Sequence, residues 1–185
     1  CSSDLAFKEF SGKYRRHSAM DEEMRESLGL MEIVMLLKTM RPDSFHFLKG
    51  NHENIANEEG RGNHPFGKFA YEGAMVAEYM ERFYSGDAFD AVYRFEHDLP
   101  LLALGDTFVV THAEPAEFFT DDEIRNYRDN SFVVEGLTWT DNDAAEPGSV
   151  AETLAHFLPD VPGEDAIHLG GHRPVAGRYA LRAEG

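Results

Sequence analysis

Three places in the chain set a histidine after an apolar run: "FHFLKGNHE" (45–53), "TFVVTHAEP" (107–115) and "AIHLGGHRP" (166–174). The histidines are His52, His112 and His172, and Asn51 stands immediately before the first of them. Imidazole nitrogens and amide oxygens ligate borderline divalent metals such as Zn, Fe and Mn. If each run is a strand, these polar residues sit at strand ends, which gather along one rim of an α/β sheet where ligands bind. Gly50, Gly170 and Gly171 would let the backbone turn and a ligand approach. The spacing predicts a shared metal site. A lone histidine after a strand is also a common packing or surface residue, and His46, His64, His97, His156 and His168 are read as structural.

The elements that must position these residues follow from periodicity. "SSDLAFKEFSGKY" (2–14) reads as a helix capped from Ser3 or Asp4. "MDEEMRESLGLMEIVMLLKTM" (20–40) is a helix with Asp21 as cap and Met24, Leu28, Met31 and Met35 at helical spacing; Leu30, Val34 and Leu37 widen the stripe and predict burial on a broad face. Pro42-Asp43 stops it, and "FHFLKG" is short and apolar enough for a buried strand. Further helices are expected over 68–84, in short pieces over 87–100, over 121–128 capped from Thr120 or Asp121, and over 149–158 with Ser149 as cap and Glu152 at capping-box spacing. Strands are expected at 101–105 and 107–113, joined by Gly105-Asp106, at 165–172, and beginning again near 178. No linker divides the chain, which predicts one domain over 1–185 with an α/β layer architecture.

Composition narrows the function. The chain has 185 residues, enough for one domain with a proper core, and a formal charge of −17. That charge argues against nucleic acid or an anionic membrane as partner, since phosphate backbones recruit basic patches. An acidic surface can still surround a site made cationic by bound metal. The one cysteine, Cys1, excludes an internal disulfide and fits a reducing compartment, so the cytoplasm is the expected location. No apolar run approaches a membrane span. The chain opens on Cys and closes at "RYALRAEG". It is expected to be an internal piece of a longer protein, with a processed N-terminus as the alternative.

"GNHE", a later strand-terminal histidine and then "GH" resemble the calcineurin-like metallophosphoesterase superfamily. "YRFEHDLPLLALGDTFVVTHAEP", "EGLTWTDND" (135–143) and "GGHRP" resemble, in order, segments of its phosphoprotein (Ser/Thr) phosphatase branch. The resemblance implies a central β-sandwich flanked by helices, here incomplete at both ends. It implies two divalent ions (Mn, Fe or Zn) in the full-length enzyme, with Asn51, His112 and His172 holding the second. His52 would not be a ligand; it would face the phosphate and protonate the leaving alkoxide, and Glu53 would orient the loop. The implied reaction is hydrolysis of a phosphate monoester on a phosphoprotein or small phosphoester, by metal-activated water with a histidine general acid.

Departures from the family bear on the substrate. Its Asp-x-His and Gly-Asp-x-x-Asp-Arg-Gly motifs, which supply the first metal site, are absent from these residues; "GDAFD" (86–90) imitates the second only at its start. The chain alone is therefore expected to be inactive. Ala113-Glu114 replaces the branch's Gly-Gly after the middle histidine, and the phosphate-binding arginine after the Trp-Ser-Asp stretch is missing. Arg173 is the candidate substitute, with a solvated arginine as the plain alternative. Asp141 and Asp143 are read as turn formers, and Trp139 as packing close to the cleft. Alternative functions are a dinucleoside polyphosphate or other nucleotide phosphohydrolase, a non-catalytic descendant binding one ion or a partner, and a plain α/β domain with structural histidines.

Overall fold

The computed structural model describes residues 18–67 and 71–181. The helix expected over 2–14 lies outside them; of the strand expected from 178, residues 178–181 are described and form no strand, and the rest lies outside. Among the described residues, six α-helices and three short strands make a mixed α/β fold: α1 (Ser18–Met40), α2 (Glu72–Phe83), α3 (Gly86–His97), β1 (Leu102–Leu104), β2 (Phe108–Thr111), α4 (Asp121–Arg125), α5 (Ser131–Thr138), α6 (Ser149–Phe157) and β3 (Ile167–Leu169). Among the described residues no helix is long and apolar enough to cross a membrane.

Packing divides the chain into two compact units. The first holds the described residues up to Phe47, with His52–Glu58 and His64–Leu99. The second holds Leu48–Asn51, Glu59–Asn63 and the residues from Pro100 onward.

The first unit is helical. Met24, Ile55, Met75, Tyr79 and Met80 form its core, with Leu28, Val76, Phe89 and Val92 against them. The Tyr79 hydroxyl donates to Asp21 at 2.7 Å, so Asp21 serves a tertiary contact within the first turn of α1. The helix begins three residues before Asp21, which is therefore not its cap. Ser85 caps α3 by accepting from the Ala88 amide, and the region expected to break into short pieces is one continuous helix. Buried Glu96 accepts the Ile55 amide at 2.7 Å, tying α3 to the segment after His52. The broad buried face expected on α1 is not formed. Of that face Met24 and Val34 are buried and Leu28, Met31 and Met35 half-buried, but Leu30 and Leu37 are exposed.

The second unit is built on one mixed three-stranded sheet in the order β1-β2-β3. β1 and β2 pair antiparallel, with Leu102 opposite Thr111, and β2 and β3 pair parallel, with Val110 opposite Leu169. Leu101, Phe119, Tyr127, Val133, Val134 and Leu137 form the core. The Gly136 backbone lies against the Phe119 ring, so close that a Cβ there would stand 2.6 Å from it; glycine inside α5 permits this packing. Thr120 and Glu123 close the capping box of α4. The helix expected from Ser149 has Gly148 in the cap position at φ +89, while the Ser149 hydroxyl donates to Pro115 O at 2.8 Å. The run 45–50 is not a strand. The Lys49 amide donates to Pro100 O at 2.9 Å, but residues 45–50 pair with no strand among the described residues.

Candidate metal centre

The parallel pairing of β2 and β3 puts their C-terminal ends on the same side of the sheet. His112 follows β2 directly, and His172 follows β3 after Gly170-Gly171. The Gly171 amide donates to His112 O at 2.8 Å, so the two segments stay joined beyond the strands. Neither glycine there has a positive φ. Asn51 stands in a turn two residues after Lys49, whose amide donates to Pro100 O just ahead of β1.

Three side chains converge. Asn51 Oδ1 lies 2.9 Å from His112 Nε2, and His172 Nδ1 lies 3.2 Å from the same nitrogen. The imidazole rings meet edge to face with centroids 5.2 Å apart. The His172 side chain is only 5 % exposed. Two ligands each about 2.1 Å from one ion at right angles would stand about 3.0 Å apart. The two separations fall close to that edge, and all three atoms are ordinary metal donors. The residues therefore fit a divalent ion. The set is two imidazoles and an amide; among the described residues no group of three or more His, Cys, Asp or Glu side chains is arranged to hold a metal.

A second layer surrounds His172. Its Nε2 is 4.0 Å from Asp141 Oδ1, and the Arg173 guanidinium is paired with that same carboxylate oxygen. At 4.0 Å the carboxylate is beyond hydrogen-bond reach and acts on the ring through its charge. Asp141 was expected to shape a turn, and its main-chain oxygen does accept the Ala144 amide. Its carboxylate does more, holding Arg173 and facing His172, a role that sequence spacing gave no sign of. Trp139, which ends α5, lies edge-on to His172 with ring centroids 6.1 Å apart. The end of α5 is fixed there because Leu137 O and Gly136 O accept the amides of Ala113 and Ala116, both at 2.9 Å.

His168 has the structural role expected of it. Thr111 Oγ1 lies 2.5 Å from Ala113 O and 2.8 Å from His168 Nε2. The hydroxyl's one hydrogen goes to the carbonyl, so His168 donates through Nε2–H and is neutral. Burial pushes its pKa down to about 4. His52 belongs to the first unit, where its exposed ring stacks on Phe66 at 4.5 Å. Arg173 is engaged by Asp141 rather than held open toward a ligand.

Compared with known proteins, the chain matches no family model, no curated protein and no solved structure.

Proposed function

We propose that this chain carries the second-metal half of a two-metal phosphoesterase site. The observation that supports it is the meeting of Asn51 Oδ1, His112 Nε2 and His172 Nδ1, drawn from segments 61 and 60 residues apart. Asn51, His112 and His172 would hold a divalent ion (Mn, Fe or Zn). Such an ion, when bound, neutralises charge on the phosphate oxygens and acidifies a water. His52, the next residue after Asn51, protonates the leaving oxygen as the P–O bond breaks; imidazole is suited to this because it ordinarily titrates near neutrality. The oxygen of water joins phosphorus, and the products are inorganic phosphate and the free alcohol. Arg173 reaches the phosphate by exchanging its Asp141 partner. The proposed parent fold is a central β-sandwich flanked by helices, of which the three-stranded sheet would form part.

The substrate class proposed is a phosphate monoester, on a phosphoprotein or a small molecule. The Asp-x-His and Gly-Asp-x-x-Asp-Arg-Gly motifs do not occur in these 185 residues, so the chain alone is expected to turn over poorly even with added Mn. Mn(II) titration followed by paramagnetic resonance tests the ligand set: the chain should bind the ion, and His112→Ala and His172→Ala should lose it. Unchanged binding in both variants refutes the proposal. In the enzyme containing both motifs, His52→Ala should cut hydrolysis far more than metal content; equal loss of both would make His52 a ligand. Phosphopeptide against dinucleoside polyphosphate hydrolysis separates the two substrate classes.

A further inference from the structure

One side chain of the second unit touches both segments that deliver the candidate imidazoles. His168 stands opposite Val109 in the β2–β3 register, on the sheet face that Thr111 shares two residues further on. Its Nε2–H donates to Thr111 Oγ1 at 2.8 Å, and the Thr111 hydroxyl donates to Ala113 O at 2.5 Å. Thr111 and Ala113 flank His112, so this hydroxyl closes a tight bend with His112 at its apex. The carbon edge of the His168 ring serves the other segment. A Cβ on Gly170 would stand 3.3 Å from His168 Cε1 and 3.6 Å from the Ala113 carbonyl carbon, which places the Gly170 backbone against both. His172 follows two residues on. Thr111 is 2 % exposed, so its hydroxyl works largely out of water, where linked hydrogen bonds reinforce one another.

We infer that Thr111 and His168 are positioning residues for the candidate centre, and that the hydrogen bond between them sets the separation of His112 and His172. The inference rests on the reading of these two imidazoles as metal ligands. β2 ends at Thr111 and β3 at Leu169, so the regular ladder stops short of both rings. Beyond it the Gly171 amide on His112 O ties the two segments through the main chain. The Thr111–His168 bond ties them through side chains, and the bend at Ala113 O carries that constraint to His112. Groups that orient ligands from outside the coordination sphere change metal affinity by about ten- to a hundredfold when they are removed.

The test compares variants of the full chain. Thr111→Val keeps the shape and removes the hydroxyl, whereas Thr111→Ser keeps the hydroxyl. Thr111→Val also leaves the imidazole N–H without its acceptor, so the double variant Thr111→Val/His168→Leu is made beside it; replacing both partners by apolar groups costs little stability. Without metal, hydrogen exchange of the Gly171 amide is compared with that of the β2 amides. With metal, Mn(II) affinity is measured by calorimetry, and urea unfolding gives the midpoint. Thr111→Val and the double variant should exchange Gly171 about tenfold faster with β2 protection unchanged, and bind Mn(II) about tenfold more weakly. Thr111→Ser should stay within about twofold of the parent in both readouts. Parent-like exchange and affinity in the double variant would overturn the inference. So would equal losses in Thr111→Ser and Thr111→Val, or Gly171 and β2 exchange rising together, which marks general loosening. A parent chain that binds no Mn(II) breaks the metal reading, and Gly171 exchange in the double variant then decides by itself whether this pair sets the separation of the two rings.

Discussion

The candidate centre is reached by two kinds of support. His112 and His172 ride on paired parallel strands, joined again by the Gly171 amide on His112 O. Asn51 follows a segment that belongs to no strand and that the Lys49 amide joins to Pro100 O. A ladder fixes a side chain through a run of regular backbone bonds, a constraint that a segment outside any ladder does not have. The two imidazoles should thus be a rigid pair and the amide an adjustable third donor.

Breaking the rigid pair should have the largest effect. His112→Ala is expected to weaken Mn(II) binding by at least about a hundredfold, as read by calorimetry, while Asn51→Ala weakens it about tenfold. Equal losses would erase the distinction between the two supports. Leu137 is buried in the core beneath the pair, and Leu137→Ala should destabilise the fold by about 3 kcal/mol in urea unfolding. A loss below about 1 kcal/mol would mean that the core does not hold the strands.

His168 sharpens the comparison through pH. Its folded pKa is lowered to about 4 from 6.5, so the folded state binds the proton less readily than the unfolded chain. Its contribution is present above pH 6.5 and is lost as the pH falls toward 4, on the order of 3 kcal/mol in all. His168→Gln should flatten stability between pH 4 and 6.5; an unchanged slope would assign the dependence elsewhere. The smallest effect is expected behind the ring. Asp141→Asn keeps the shape and removes the charge facing His172, and should weaken Mn(II) binding by about tenfold with little change in unfolding midpoint. A variant that binds the ion as well as the parent would show Asp141 serving Arg173 alone.

Much of the helical order was legible because it is local. The helical spacing of α1 and the cap at Thr120, one of two candidates, are written locally, and the two strands around Gly105-Asp106 announced themselves by their apolar runs. The failures came where tertiary context decides. "FHFLKG" has strand composition but no neighbour to form a ladder with among the described residues. α5 was missed because Val133 and Val134 mask its helical character, although Asn130 caps it by accepting the Phe132 amide. Ser149 looked like a cap, but its hydroxyl was claimed by Pro115 O, a partner 34 residues away. Shared strand-end context grouped His52, His112 and His172, and only the family resemblance put Asn51 in the place of His52, whereas the Asp141 carboxylate beside His172 depends on how α5 ends.

The wide separation of the donors along the chain carries a folding consequence. Asn51 and His112 are 61 residues apart, and His112 and His172 are 60, so assembling them requires closing two long loops. Such contacts form late in folding, after the local helices. A captured cation would act as a three-point staple on that late step, adding about 2.7 kcal/mol of apparent stability at a free concentration one hundred times its Kd.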